Sequence, residues 1–205
     1  MALLQTARAV SRISPTRSML LLCDMQEKFR STVSYFPQIV EVSKRMLDIA
    51  RALQMPVIAT EQYPKGLGKS VPELGLQSDG HSPVEVVEKT CFSMLVPELK
   101  AKLPPKVDSV LLCGIETHAC VLQTTLDLLE SGYQVHVVVD GCSSRSMVDR
   151  KYAFGRMERE GARLTTCEAA ALELLGDAKH PAFRQVQKCI MEVSPDSGLL
   201  NYSKI

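Results

Sequence analysis

Six short apolar runs alternate along this chain with longer stretches of helical period, and that alternation constrains the fold more than any other feature. The runs are Met19–Cys23, Val57–Thr60, Val84–Val87, Val107–Gly114, Gln134–Val139 and Ala162–Thr166. Each is short enough for a strand, and most are apolar runs instead of alternations, the pattern of strands buried on both faces. Between the first two, Ile39, Val42, Met46, Ile49 and Leu53 recur at helical spacing. Val121–Leu129, Asp149–Arg159, Glu168–Leu175 and His180–Met191 read as further helices, with Gly132 and Gly161 placed as stops after two of them. Strands alternating with helices imply βαβ units and a parallel sheet. The expectation is an α/β fold of three layers, α–β–α, around an open, doubly wound sheet of six parallel strands. An eight-stranded barrel would need roughly 250 residues, and this chain has 205.

One domain over residues 18–193 accounts for all these elements, leaving a flexible tail over 1–17 and a polar tail over 194–205. A single segment breaks the rhythm. Gln62–Pro83 carries Pro64, Gly66, Gly68, Pro72, Gly75, Gly80 and Pro83, and a connection this long is either a loop over a pocket or an inert excursion.

Composition excludes several classes. A net charge of +1 gives no broad basic surface, so nucleic acid is not an expected partner. No apolar run approaches the roughly 20 residues of a membrane helix. The seven cysteines are odd in number and several sit inside apolar strands, which suits a reducing compartment, cytoplasmic or nuclear, better than a disulfide framework. The N-terminus adds a condition. Arg8, Arg12 and Arg17 fall among serines and threonines, and the first acid is Asp24. That composition is like a mitochondrial presequence, so the location is mitochondrial if it acts as one; a short disordered tail accounts for it equally.

In open α/β sheets ligands bind beyond the carboxyl ends of the strands. The polar residues there are Asp24 after the first strand, Glu61 and Gln62 after the second, Lys89 after the third, Glu116, Thr117, His118 and Cys120 after the fourth, and Asp140 after the fifth. A carboxylate, an ammonium and a thiol thus converge on one edge. Cys120 falls where a helix begins, and the unpaired N–H groups and dipole there favour thiolate over thiol. The same groups can receive an oxyanion. Position alone leaves two readings open, a nucleophile or a core-filling cysteine. Asp24 could likewise be a strand-end cap, and Lys89 a solvated surface lysine.

Three segments resemble the signature blocks of the isochorismatase-like cysteine hydrolases. They are "LLLCDMQEKF" (Leu20–Phe29), "VEKTCFSML" (Val87–Leu95) and "LLCGIETHACVLQTTLDLLESGYQVHVVVDGCSS" (Leu111–Ser144), and the likeness extends over nearly the whole chain from about Met19. The resemblance implies a Rossmann-like six-stranded sheet between helices, in a homo-oligomer. It implies a triad of Asp24 as general base, Lys89 as cationic partner and Cys120 as nucleophile. It also implies a cis peptide at Ile115–Glu116 that turns the Glu116 N–H toward the Cys120 N–H to make an oxyanion hole. A small-molecule substrate with an amide or related carbonyl would pass through a Cys120 thioester, without any cofactor.

The chain departs from relatives that bind a metal through an aspartate and histidines after the second strand. It has "TEQYPKGLG" (Thr60–Gly68) there, so no metal site is expected. Phe29, Tyr63 and His118 are the weaker choices for lining a substrate pocket, and Cys91 is expected to be a buried small hydrophobe. His118 lies two residues from Cys120, a spacing that does not face it on a helix. Two rivals stand beside the hydrolase: an idle relative kept as a protein-interaction module, and a redox sensor pairing Cys120 with Cys91.

Overall fold

A segment with no polar face must be covered on both sides. In the computed structural model of the chain, which describes residues 10–76 and 84–200, the first such segment, β1 (Ser18–Cys23), is buried at every position. Around it lie β2 (Val57–Gln62), β3 (Glu85–Lys89), β4 (Ser109–Gly114), β5 (Gln134–Cys142) and β6 (Arg163–Thr165). All pair in parallel, in the order β3-β2-β1-β4-β5-β6. The six expected strands are therefore all present. Their ends differ where polar residues interrupt the apolar run. Edge strand β3 exposes Glu85 and Glu88, which hides its true extent, and β5 continues through Asp140 and Gly141 to Cys142.

The chain winds outward from β1 to β3, then returns to the other side of β1 with β4. That reversal is the topological switch point, where the loops leaving β1 and β4 part and open a crevice. The two strands are in tight register, with Cys23 beside Gly114. Gly114 has φ +122°, and a Cβ there would meet the Cys23 carbonyl oxygen at 2.1 Å, so glycine is required for this approach.

Helices α1 (Phe36–Ala52), α6 (Cys167–Leu175) and α7 (Phe183–Ile190) pack together on one face; α4 (Leu122–Glu130) and α5 (Met147–Glu160) form the other. Helix α1 starts earlier than its apolar spacing suggests, because Pro37 suits a first turn. Short helices α2 (Pro64–Leu67) and α3 (Pro97–Lys100) follow β2 and β3. Among the described residues no helix is long and apolar enough to cross a membrane.

The start of the connection after β2 is pinned by a side chain from the loop after β1. Buried Gln26 donates to the carbonyls of Gln62 and Gly68 (3.0 and 2.6 Å) and accepts from the Gln62 N–H at 2.7 Å. Residues 77–83, including His81, lie outside the described residues.

Two segments assigned to tails from sequence have partners on the domain. Ile13 is buried and its N–H donates to Glu173 at 3.1 Å. In the C-terminal tail, the Ser197 carbonyl accepts from Arg150 at 2.5 Å; just before the tail, the Glu192 carbonyl accepts from Arg45 at 2.7 Å. Arg150 is fully buried.

Candidate active site

Asp24, the residue after β1, has φ +52°, an uncommon backbone for a non-glycine residue that turns its side chain out of strand alternation. Its carboxylate is fixed from two sides. Thr60 Oγ1 donates to Oδ1 at 2.7 Å, and Lys89 Nζ donates to Oδ2 at 2.6 Å. Lys89, the last residue of β3, is itself surrounded by acceptors: Gln62 Oε1 at 2.7 Å and the carbonyls of Phe92 and Cys91 at 3.0 and 3.2 Å. Both side chains are essentially removed from water. Burial works against the ammonium, but the neighbouring Cys23, Asp24 and Cys120 outweigh it and hold Lys89 above the ordinary lysine range. A buried ion pair persists only where further hydrogen bonds complete it, and this pair has them.

The sulfur completes the arrangement. Sγ of Cys120, Sγ of Cys23 and a carboxylate oxygen of Asp24 all lie within 4.8 Å of one another. Cys120 retains 7% of its surface exposed, whereas Cys23 retains none. Burial first, then the adjacent Cys120 sulfur, pushes the Cys23 thiol well up. The three residues singled out from sequence, from segments up to 96 residues apart, thus meet at the switch point beyond the ends of β1, β3 and β4.

The local backbone differs from the expected helix start. Thr117–Val121 form a π-helical turn, with α4 beginning only at Leu122; Ile115–Glu116 is a cis peptide, as expected. Ala119 and Val121 donate their N–H groups back to the Glu116 carbonyl, and the Thr117 N–H bonds the Ser143 carbonyl at 2.9 Å. Such single π turns occur frequently at functional sites.

The weaker choices separate. Tyr63 is more than half exposed and, with Lys65, Lys89, Cys91 and Val96, lines a cavity of about 540 Å³. Phe29 packs half-buried against the core. His118 is engaged with Ser144 Oγ at 3.0 Å, and Glu116 accepts from the Arg145 N–H at 2.9 Å. Asp140 turns instead to the start of α6, accepting from the Cys167 N–H. Cys91, expected to be buried, is exposed, because its loop gives Lys89 its carbonyl and not its side chain. Sequence reasoning missed Thr60 and Cys23. Both stand inside apolar runs, and the one available signal is that each flanks a strand-end acid.

A doubly wound α/β protein with a buried acid–amine pair and a thiol at its switch point is, in class, a protein built to bind and handle a small molecule there. The chain belongs to the isochorismatase family: the family described as "Isochorismatase domain" matches residues 18–169. It is 58% identical to the human isochorismatase domain-containing protein 2, over 94% of this chain and 92% of that one. A solved Caenorhabditis elegans structure named as MAR1 ribonuclease is 53% identical with a TM-score of 0.87, covering 92% of this chain and 97% of that one. The YcaC structure from Pseudomonas aeruginosa, with hexane-2,5-diol and covalent acrylamide, is 25% identical with a TM-score of 0.79, over 89% and 93% of the two chains. Membership makes this an isochorismatase-like hydrolase in family and fold.

Proposed function

We propose that the protein is a metal-independent cysteine hydrolase that cleaves a small amide or related carbonyl compound through a Cys120 thioester. One observation carries the reading: the buried Lys89–Asp24 pair lies within reach of the Cys120 sulfur. A free thiol is only a few per cent ionised at neutral pH, so a cysteine nucleophile needs a base beside it. Asp24 takes the Cys120 proton, and the Lys89 charge balances the thiolate that results. The sulfur adds to the substrate carbonyl, and the backbone N–H groups of Glu116 and Cys120 receive the oxyanion. Asp24 returns its proton to the leaving amine as the C–N bond breaks. Water then cleaves the thioester, releasing the acid and restoring the thiol.

The rest of the reading concerns recognition. Tyr63 lines the approach beside Lys89, whereas Phe29, packed on the core, and His118, bonded to Ser144, do not line that cavity. A homo-oligomer belongs to the same proposal: Val148 and Tyr152, one turn apart on α5 and largely exposed, offer an apolar face for a second copy.

The test is a hydrolysis screen of small amides and esters with the full chain and with Cys120→Ala. Turnover by wild type that falls at least about a thousandfold in the variant supports the proposal. Acrylamide labelling supplies a second reading: modification of Cys120 should slow at least tenfold in Asp24→Asn. Labelling no faster than that of a bulk thiol would favour the interaction module. A labelled RNA belongs in the same screen because of the name carried by the nematode structure, and RNA cleavage that survives Cys120→Ala would overturn the carbonyl mechanism.

A further inference from the structure

The second sulfur has no part in the hydrolysis. Cys23 is fully buried, yet it presents Sγ to the same point as Cys120 and Asp24. We propose that Cys23, Asp24 and Cys120 together form a three-ligand site for a soft divalent cation, Zn²⁺ being the best fit, and that its occupation shuts the crevice to substrate. This goes beyond the hydrolase reading, since capture of the cation does not require turnover.

Geometry is the first support. Zn²⁺ binds thiolate at about 2.3 Å and carboxylate oxygen at about 2.0–2.2 Å, usually in a tetrahedron. Donors around such an ion are then roughly 3.6–3.8 Å apart, by trigonometry from those lengths. The three donor atoms already lie within 4.8 Å of one another, so small side-chain rotations close the set. Softness is the second support: two sulfurs and one carboxylate favour Zn²⁺ over Mg²⁺ or Ca²⁺, which prefer oxygen alone.

Charge is the third. With both thiols protonated, Asp24 and Lys89 sum to zero. When the ion enters, each S–H yields its proton to water and two Zn–S bonds form. Two thiolates and one carboxylate carry three negative charges, and Zn²⁺ with Lys89 supplies three positive ones. The buried set is therefore neutral before and after, which removes the main objection to placing an ion there. The carboxylate is also held ready, with Thr60 Oγ1 on Oδ1 and Lys89 Nζ on Oδ2, the kind of outer partner that orients a metal ligand. Cys120 is the one of the three with an exposed edge, and a water reaching the ion there would complete four ligands.

Occupation takes the lone pair of Cys120 and the free face of Asp24 together. It differs from a metal held by an aspartate and histidines after the second strand, because none of its ligands comes from that segment.

The experiment titrates the full chain with Co²⁺, an optical stand-in for Zn²⁺, and follows the near-ultraviolet thiolate-to-cobalt charge-transfer band. One equivalent should produce the band, and excess Zn²⁺ should remove it. Cys23→Ser and Cys120→Ala should each lower the band by about half and weaken Zn²⁺ competition at least tenfold, whereas Cys189→Ser, on α7, should leave both unaltered. Circular dichroism of each variant checks the fold, and Cys120→Ala, at the rim of the crevice, carries the test if Cys23→Ser fails to fold. No band at millimolar Co²⁺, or a band of undiminished intensity in Cys120→Ala, overturns the proposal. A Co²⁺ band in a chain that hydrolyses nothing would leave this site standing and defeat the hydrolase; hydrolysis without a band would do the reverse.

Discussion

Cys120 and Cys167 occupy nearly equivalent places. Each follows a parallel strand at its carboxyl end, each stands at or just before a helix start, and each lies near a buried aspartate, Asp24 just after β1 or Asp140 near the end of β5. By position alone they are equally good nucleophiles. The difference lies in what each aspartate faces. Asp140 accepts the backbone N–H of Cys167 with both oxygens (2.9 and 3.2 Å), so it caps α6. The nearby cations, Arg45 and Arg150, reach carbonyl oxygens and hold the C-terminal segment. Burial, then Asp140, raises the Cys167 thiol far above the ordinary cysteine range, and no part of it is exposed. Asp24, by contrast, faces an ammonium and a sulfur, and that sulfur keeps an open edge. A thiol at a strand end becomes available for chemistry only where a cation sits beside its acid and the backbone leaves the acid free.

The contrast is sharpest in reactivity. At neutral pH, acrylamide should modify Cys120 at least about a hundredfold faster than Cys167, because Cys167 must wait for the fold to open, and opening of a core element costs several kcal/mol. Peptide mapping by mass spectrometry measures both sites in one sample. Comparable rates at the two would erase the distinction.

Stability gives the next test. Lys89→Met leaves Asp24 as a buried, uncompensated charge and should cost about 3–5 kcal/mol in urea unfolding. Arg150→Met deprives the carbonyl oxygens of Ser197 and Val139 and removes a stacking contact with Phe154, but it leaves no carboxylate without its hydrogen-bonded cation, and should cost about 1–3 kcal/mol. Pairing Lys89→Met with Asp24→Asn should recover part of the larger loss, since neither charge then remains. If Arg150→Met proved the more costly, the second region would be the true electrostatic centre of the fold.

The sequence shows these two regions unequally. Strands β1 and β4 are legible because the core admits only apolar side chains there, and Asp24, Lys89 and Cys120 are legible because motif order and strand ends mark them. Cys23 and Thr60 are not, since within a strand pattern they look like filling; only the turn at Asp24, with its positive φ, brings neighbours Cys23 and Asp24 to one point. The π turn before α4 is invisible to a 3.6-residue period. Arg45 and Arg150 are hidden for another reason: arginines are rarely buried, and although Arg45 also pairs with Glu41 one turn away, the partners that fix the C-terminal segment are main-chain carbonyls up to 147 residues away, which carry no side-chain signature.

The smallest effect tests the capping role of Asp140. Burial is the leading influence on this carboxyl and raises it above the ordinary aspartate value, although the Cys167 N–H and the two arginines pull the other way. An acid raised on folding binds a proton in the native state at a pH where the unfolded chain has released it, so stability falls as pH rises through that window. The window opens near 3.8, the ordinary value, and closes at the raised one. Asp140→Asn keeps an oxygen for the Cys167 N–H but has no such titration. Wild type should therefore lose stability relative to the variant as pH climbs out of that window, and the difference should then stay constant toward neutrality, as urea midpoints at stepped pH would show. A wild type that instead gains on the variant over the same range would mean that the arginines, and not burial, govern Asp140. The second region would then hold a working ion pair like the first, and the absence of an open edge at Cys167 would be all that separates the two.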